Sequence, residues 1–299
     1  MTSVPPSTTL AKRALRKRIA TSLATLSKQA VITQSAAVLA HLAALPAYSS
    51  SCCAAIFLPM DGGCEVDTWP IVADLLSRGV TLGVPRVTGP TPADMRMLRI
   101  TSLEQAQALP RTKWGIPEPD DALAASMEDM TAVALFDLLL VPCVALDARC
   151  NRLGHGRGYY DAFIQKSRAR IGGSSSGDAA GSGTGTPVVV GLALAPQLVD
   201  EVPVDENDQR LDFVVSSEGR LAYASAADVL SAAGLREGAA QGDELGGKRA
   251  REATAGGGGL AARAEAEGLE RVELAAGRHK YVCLRVSLGG ESFLAVRSG

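Results

Sequence analysis

The chain has 299 residues, of which 46% are hydrophobic and only 4% aromatic, so it can form one or two domains with largely aliphatic cores. A formal net charge of −2 and a pI near 6.0 argue against a protein that binds nucleic acid or anionic membranes through a broad basic surface. Six cysteines without a CxxC pair or a histidine at zinc-binding spacing argue against a structural zinc site and a disulfide framework.

The N-terminal region predicts helix over residues 10–45, because apolar residues recur there at helical spacing. They are Leu15, Ile19, Leu23, Leu26, Val38, Leu42 and Leu45. The first 22 residues are rich in Ser, Thr and Arg and contain no acidic residue, as in organellar transit peptides. The basic stretch AKRALRKR also fits a solvated helix face. We expect a cytoplasmic location and leave organellar targeting open.

Short apolar segments then alternate with helical ones. Helices are predicted around Trp69 to Arg78 and from Tyr159 to about Arg170. Unbroken apolar strands separated by helices indicate a mostly parallel sheet that is covered on both faces, which is a three-layer α/β fold. The predicted strands are residues 54–59, 80–87, 95–100, 137–146 and 188–194.

Two later segments do not fit that alternation. Residues 172–186 form a glycine and serine tract, which predicts a disordered insertion in a domain that spans residues 10–235. Residues 236–268 contain GGGG among scattered charges and predict a flexible linker. Residues 269–299 return to strand-like alternation around a GG turn and predict a β-hairpin extension or a truncated module.

The stretch NRLGHGRGYYD, residues 151–161, is separated by four residues from the end of the most hydrophobic run of the chain. A glycine-rich turn between a strand and a helix can bind phosphate, because the backbone can approach closely and the helix N-terminus offers free N–H groups. Arg152 and Arg157 add positive charge that can grip phosphate oxygens. The spacing matches neither a Walker P-loop nor a dinucleotide-binding fingerprint.

Two aspartates are candidate magnesium ligands. Asp161 lies one helical turn past the glycines, where a carboxylate could hold Mg²⁺ against bound phosphates. A favourable charge in the first turn of a helix explains Asp161 equally well. Asp208 lies between a proline-containing turn and a strand, and its spacing alone fits an acidic surface loop just as well.

Five segments together resemble the 5-formyltetrahydrofolate cyclo-ligase family, also called 5,10-methenyltetrahydrofolate synthetases. They are AKRALR, IFLPMDGGCEVDT, LPRTKWGIPEP, DLLLVPCVALDARCNRLGHGRGYYDAF and LALAPQLVDEVPVDENDQRLDFVV, in that order. The resemblance implies an α/β domain related to the sugar-phosphate isomerase folds. It also implies an enzyme that uses ATP and Mg²⁺ to close 5-formyltetrahydrofolate, with or without a polyglutamate tail, to 5,10-methenyltetrahydrofolate. We expect a monomer.

The same resemblance assigns site residues. The nucleotide-binding positions are Lys12, Arg13, Ala14, Leu15, Arg16, Arg152, Leu153, Gly154, His155, Gly156, Arg157, Gly158, Tyr159 and Tyr160. The folate-binding positions are Arg16, Leu58, Glu65, Trp114, His155, Gly156, Arg157, Gly158 and Tyr159. The catalytic positions are Arg152, Arg157 and Tyr159, and the magnesium positions are Asp161 and Asp208. Two simpler explanations stay open: a solvent-facing loop residue for His155 and a core position for Trp114.

Other functions also fit the pattern. A sugar-phosphate isomerase or deaminase of the same architecture would use the glycine loop for a substrate phosphate, and a regulator could bind folate or nucleotide without turnover. The last segment, HKYVCLRVSLGGESFLAVRSG, resembles the opening strands of janus-type phosphohistidine phosphatases. Since no later histidine follows, we expect an inactive remnant there.

Overall fold

A computed structural model describes residues 7–131, 135–172 and 186–222, and the backbone of 269–276, 279–288 and 291–297. The predicted insertion lies outside the described residues except at its two ends, and the predicted linker lies wholly outside them. Contacts divide the chain into two units, Met1–Arg220 and Leu221–Gly299. The domain boundaries at 235 and 268 stay predictions.

The first unit, together with the two residues that follow it, alternates helices and strands in chain order. Its helices are α1 (Thr8–Leu23), α2 (Lys28–Ala43), α3 (Pro46–Ser49), α4 (Trp69–Ser77), α5 (Leu103–Gln107), α6 (Asp121–Ser126) and α7 (Tyr159–Gly172). Its strands are β1 (Cys53–Ile56), β2 (Thr81–Val87), β3 (Met95–Ile100), β4 (Leu138–Val141), β5 (Ala145–Leu146), β6 (Arg152–Leu153), β7 (Val188–Ala193), β8 (Phe213–Ser216) and β9 (Gly219–Ala222).

Two predicted elements are divided in the structure. The helix predicted over residues 10–45 breaks before α2, because the Ser27 side chain caps the new helix by accepting the N–H of Ala30 at 3.1 Å. The strand predicted over residues 137–146 ends at Val141 and resumes as β5, which pairs with β6 in a separate two-stranded sheet.

Seven strands form one mixed sheet in the order β3-β2-β1-β4-β7-β8-β9. The pairs β2–β1, β1–β4, β4–β7 and β7–β8 are parallel, and β3 is antiparallel to β2. The prediction of a mostly parallel α/β sheet is therefore confirmed. The chain passes from β1 to β2 on one side and later enters β4 on the other side. Open α/β sheets bind ligands at such a reversal, outside the carboxyl ends of the strands.

Both faces of the sheet are buried. Alternate strand residues such as Ile56, Leu82 and Leu140 pack in one apolar cluster with residues of α2 and α4. The intervening residues, Ala55 and Leu139 among them, are also buried. This burial explains why the central strands are apolar at every position and show no alternation.

The C-terminal unit contains a three-stranded antiparallel sheet. Its strands are β10 (Leu269–Ala276), β11 (His279–Leu288) and β12 (Glu291–Arg297), in that order. The predicted hairpin is present as β11 and β12, and β10 adds a strand that the sequence analysis does not expect. In either unit, no helix of the described residues is long and apolar enough to cross a membrane.

Tight packing around Gly191 in β7 gives a test of this core. A Cβ there would lie 2.5 Å from a Leu211 methyl group and 3.0 Å from Leu146. We expect Gly191→Ala to lower the free energy of unfolding by about 1–3 kcal/mol, as overpacking usually does. Gly83→Ala in β2 is the matched control, because its Cβ would approach nothing closer than 3.3 Å. Urea unfolding should show the larger loss for Gly191→Ala, and equal losses would contradict this account of the packing.

Candidate active site

The loops that follow β1, β2, β4 and β7 meet at one edge of the sheet. Leu58 and Glu65 follow β1, the glycine loop follows β4, and Asp208 follows β7. Because these strands are parallel neighbours, their carboxyl ends share an edge, and the order reverses between β1 and β4. The side chains predicted for the site therefore lie where this class of sheet binds ligands.

A small hairpin, β5–β6, presents the glycine loop. The buried carboxylate of Asp147 closes its turn by accepting the N–H groups of Arg149 at 2.9 Å and Asn151 at 3.0 Å. Cys150 adopts φ +59° in this turn, which is uncommon for a residue with a side chain. Asp147 is not among the residues predicted from the sequence, although an aspartate that accepts the backbone N–H two residues later is a known turn pattern.

Arg152 and Asp161, the predicted catalytic and magnesium residues, form an ion pair. An Arg152 Nη2 to Asp161 Oδ2 distance of 2.8 Å joins them, and the Arg152 side chain is only 3% exposed. The guanidinium also contacts the Tyr160 ring, with 5.8 Å to its centroid. Its Nε is buried without a hydrogen-bond partner among the described residues. An unmade bond of this kind is costly, and a bound anion would satisfy it.

Two cationic side chains of α1 contact the loop after β7 and the glycine loop. Lys12 Nζ donates to Asp205 Oδ2 at 2.6 Å and to Asp208 Oδ2 at 2.5 Å. Arg16 Nε donates to the carbonyl of Gly154 at 2.8 Å. Burial alone would lower the pKa of Lys12, but the hydrogen bonds and charges of the two aspartates hold it above the ordinary value. Asp205, which the sequence analysis did not select, has its pKa lowered by the same contact.

The other predicted positions of α1 divide between surface and core. Arg13 and Ala14 are exposed, whereas Leu15 is buried. Leu15 and Leu153 belong to a small apolar cluster between the helix and the hairpin; its members are Leu15, Ile19, Val144, Ala145, Leu153 and Val202. These two leucines therefore fix the position of α1 against the glycine loop through apolar contacts.

The glycines of the loop leave room for arginine side chains and allow its backbone shape. A Cβ on Gly154 would lie 2.8 Å from Arg152 Nη1, and a Cβ on Gly156 would lie 3.2 Å from Arg16 Nη2. Gly156 and Gly158 also have positive φ angles of +94° and +73°. Substitution at either would therefore strain the backbone.

The polar side chains of the loop differ in exposure and partners. Arg157 is exposed, and its guanidinium has no hydrogen-bond or ion-pair partner among the described residues. His155 is also exposed, yet partial withdrawal of its ring from water and the charges of Arg16 and Arg152 lower its pKa. The Tyr159 hydroxyl donates to the carbonyl of Gly89 at 2.8 Å, so this group is held by backbone that follows β2.

Three predicted folate positions, Leu58, Glu65 and Trp114, lie on the loops after β1 and before α6. Leu58 is buried, and Glu65 Oε1 accepts the N–H of Met60 at 2.6 Å. Desolvation raises the pKa of Glu65 to about 7, although that hydrogen bond opposes the shift. Trp114 is 63% exposed, which excludes the core position, and the Lys113 ammonium lies 4.4 Å from the centre of its ring.

Tyr160 lies within the electrostatic influence of Arg152, a predicted phosphate contact, and of Glu65, a predicted folate contact. Burial raises the pKa of this phenol; the positive charge of Arg152 opposes the shift, and the negative charges of Glu65 and Glu118 add to it. Arg152 and Glu65 also both act on the pKa of the buried Cys143 thiol, which desolvation raises to about 12. Glu118, which the sequence analysis did not select, therefore belongs to the surroundings of the site.

The predicted magnesium position is not a complete protein cage. Among the described residues, no group of three His, Cys, Asp or Glu side chains is placed to hold a metal ion. Asp161 and Asp208 are paired instead with Arg152 and Lys12. Two carboxylates still fit Mg²⁺, which usually takes one or two from the protein and completes its shell with phosphate oxygens and water.

Comparison with known proteins identifies relatives of the chain. A family model described as the 5-formyltetrahydrofolate cyclo-ligase family matches residues 8–217. A Mus musculus protein named 5-formyltetrahydrofolate cyclo-ligase is 30% identical over 207 residues, which cover 69% of this chain and 93% of the mouse protein. An Arabidopsis thaliana protein named as the mitochondrial cyclo-ligase is 33% identical over 165 residues, which cover 52% of this chain and 55% of that one.

A solved structure supports the fold. The 5,10-methenyltetrahydrofolate synthetase of Aquifex aeolicus superimposes with a TM-score of 0.53 and 24% identity. The superposition covers 80% of this chain and 98% of the Aquifex chain. The two proteins therefore share the α/β architecture.

The raised pKa of Glu65 gives a pH-dependent test. The folded protein keeps a proton that the unfolded chain releases near its ordinary value of 4.5, so stability falls as pH rises from about 4.5 to 7. Glu65→Gln stays neutral and can still accept the Met60 N–H. At pH 8 we expect the variant to be about 1–3 kcal/mol more stable than the unsubstituted protein, with about equal stabilities at pH 4.5.

Urea unfolding across this pH range would measure the effect. The exposed Glu201 provides the control, since Glu201→Gln should follow the unsubstituted protein at every pH. A Glu65→Gln protein that is less stable at pH 8 would show that the ionised carboxylate is stabilising, against this account.

Proposed function

The chain belongs to the 5-formyltetrahydrofolate cyclo-ligase family, and on this premise we propose that it closes 5-formyltetrahydrofolate to 5,10-methenyltetrahydrofolate with hydrolysis of ATP to ADP and phosphate. One observation carries the proposal: Lys12 of α1 pairs with Asp208, and Arg152 of β6 pairs with Asp161, so each predicted metal carboxylate already contacts a cation. Arg16 of α1 binds the Gly154 carbonyl of the glycine loop. Such a constellation suits a polyphosphate with its magnesium ion.

The reaction needs phosphoryl transfer because an amide oxygen is a poor leaving group. ATP supplies the phosphoryl group that turns the formyl oxygen into phosphate; the folate N10 then bonds to the formyl carbon and loses its proton as the carbon–oxygen bond breaks. Catalysis of this kind relies on positioning and on neutralisation of charge at the transferred group. The residues of the site are suited to both tasks.

We assign the phosphate contacts to the cations of the site. Lys12 and Arg16 are held one helical turn apart on α1, and the buried Arg152 has an unsatisfied Nε–H for a phosphate oxygen. Arg157, exposed and without a described partner, can close over the transferred group. When phosphate oxygens bind Arg152 and Lys12, the carboxylates of Asp161 and Asp208 would become available to hold Mg²⁺.

We assign the folate contacts to the loops after β1 and before α6. Glu65, with a pKa near 7, can exchange hydrogen bonds with the polar pterin ring as either acceptor or donor. The exposed Trp114 ring offers a flat apolar surface, and Leu58 lies in the buried wall after β1. Lys113 beside the ring suits an acidic substrate, with or without a polyglutamate tail.

The proposal includes a monomer in the cytoplasm. A mitochondrial relative in Arabidopsis keeps organellar targeting open, and residues 1–6 lie outside the described part of the chain. Fractionation of cells that express the intact chain would distinguish the two locations.

The first test is the ATP dependence of turnover. Mixing 5-formyltetrahydrofolate with Mg-ATP should produce the near-ultraviolet absorbance of the methenyl product, and leaving out either substrate should prevent it. Arg152→Ala and Asp161→Asn should each lower kcat/KM by about 100-fold or more, because each removes a charge aligned for the transferred group. Steady-state kinetics at saturating Mg²⁺ would measure both losses.

A second ion pair on α7, the helix that also carries Asp161, is the control. Arg168 and Asp212 are joined by 3.0 Å between Arg168 Nη2 and Asp212 Oδ2, outside the site. Arg168→Ala and Asp212→Asn should keep kcat/KM within about twofold. Turnover without nucleotide would instead favour an isomerase or deaminase, and binding of both ligands without product would favour a regulator.

The paired charges predict that metal and nucleotide bind together. Mg²⁺ alone must displace Lys12 and Arg152 from their carboxylates. Metal-free ATP would place its negative phosphates beside the same negative carboxylates, with no metal ion to offset their repulsion. By isothermal titration calorimetry, we expect Mg-ATP to bind at least about tenfold more tightly than ATP in EDTA, and Mg²⁺ alone to bind weakly. Tight binding of Mg²⁺ without nucleotide would contradict this pairing.

Neutralising one carboxylate should reduce that difference. Asp208→Asn removes a charge next to Lys12, so metal-free ATP should bind more tightly and Mg²⁺ should add less affinity. Asp200→Asn, on the exposed surface of the same segment, should leave both affinities unchanged.

A further inference from the structure

We propose that Asp147 is a positioning residue that fixes the separation of the glycine loop from the acidic segment 205–208, and that Mg-ATP affinity depends on it. The inference rests on the proposed function, since it concerns the same nucleotide site. Asp147 is 1% exposed and belongs to neither the predicted phosphate contacts nor the predicted metal ligands.

The two carboxylate oxygens of Asp147 have different partners. Oδ1 accepts the N–H groups of Arg149 and Asn151 and so closes the turn of the hairpin. Oδ2 accepts the Asn151 side-chain amide at 3.0 Å and the N–H of Val202 at 2.9 Å. A single buried group therefore connects the hairpin to a segment more than fifty residues away in sequence.

Each connection leads within a few residues to the site. Asn151 directly precedes Arg152, and the buried Val202 lies three residues before Asp205. Two backbone hydrogen bonds join the same segments on either side of this link. The Val199 N–H donates to the Leu146 carbonyl at 2.9 Å, and the Leu211 N–H donates to the Cys150 carbonyl at 3.0 Å. Among these links, that of Asp147 is the one a side-chain substitution can remove.

The separation matters because α1 must contact both segments at once. Lys12 bonds to Asp205 and Asp208, whereas Arg16, one turn later, bonds to the Gly154 carbonyl. Their four-residue spacing places the two Cα atoms about 6 Å apart along the helix axis and on the same face of α1. If the two segments moved apart, the cations could not both hold a triphosphate in the same geometry.

Asp147→Asn disturbs this link with little change in shape. Whichever way the amide is turned, its NH₂ group opposes N–H donors that the carboxylate had satisfied. The orientation that keeps the turn closed loses the bond to Val202 and leaves that donor buried and unpaired. The substitution therefore acts on the connection to the acidic segment.

Asp137 provides a matched control. Its Oδ2 accepts the N–H groups of Cys52 at 2.7 Å and Cys53 at 3.1 Å, so it also joins two chain segments through backbone amides. These contacts lie at the amino end of β1 and β4, which is the opposite edge of the sheet from the site. Asp137→Asn should therefore leave the nucleotide site unaffected, whatever its effect on stability.

Calorimetry without turnover tests the inference. Mg-ATP is titrated in the absence of folate, 5-formyltetrahydrofolate is titrated in the absence of ATP, and urea unfolding is measured in parallel. Asp147→Asn should weaken Mg-ATP binding by about tenfold or more and keep folate binding within about twofold. Asp137→Asn should keep both affinities within about twofold, even where its unfolding midpoint falls.

Two results would overturn the proposal. One is an Asp147→Asn protein with Mg-ATP affinity like that of the control, and the other is equal weakening of both ligands, as a purely structural role predicts. If Asp147→Asn does not fold, Asn151→Ala removes one donor to Oδ2 and should still weaken Mg-ATP selectively, by about threefold; no selective loss refutes the link. Absence of Mg-ATP binding to the unsubstituted protein would instead refute the proposed function.

Discussion

A buried arginine held by an aspartate is the interaction on which the rest of the site depends. Arg152 is almost fully withdrawn from water, so its charge requires a partner, and Asp161 in the first turn of α7 supplies one. The position of the pair determines the residues around it. Gly154 has no side chain and so leaves room for the guanidinium. The β5–β6 hairpin places Arg152 beside the first turn of α7. Removing either partner of such a pair typically costs about 3–5 kcal/mol.

The same pairing recurs between α1 and the loop after β7. Lys12 lies between Asp205 and Asp208, so each carboxylate predicted to hold metal is already matched by a cation predicted to hold phosphate. The positive and negative side chains of such a site neutralise one another. The site therefore favours a ligand that carries both a cation and an anion, as a magnesium–nucleotide complex does. We infer that Mg-ATP binds by exchange of partners: phosphate takes the cations while magnesium takes the carboxylates. That exchange would couple nucleotide binding to small movements of α1 and of the glycine loop.

Much of the fold could be predicted from the sequence because it follows from local patterns. Apolar segments separated by helices indicate a parallel sheet. The glycine loop between β6 and α7 indicates which edge of that sheet binds the ligand. What could not be predicted depends on contacts between distant residues. Lys12 and Asp208 are 196 positions apart, and no spacing rule connects them. Asp147 resembles any polar turn residue until the structure shows that it is buried, and the exposure of Trp114 excludes a core position that its sequence context allowed.

A crystal structure with Mg²⁺, a non-hydrolysable ATP analogue and 5-formyltetrahydrofolate tests the central claim most directly. We expect the triphosphate on Lys12, Arg16 and Arg152, the metal on Asp161 and Asp208, and the formyl group between the terminal phosphate and Glu65. A complex in which nucleotide lies elsewhere, with Arg152 still on Asp161 and Lys12 still on Asp205 and Asp208, would contradict it.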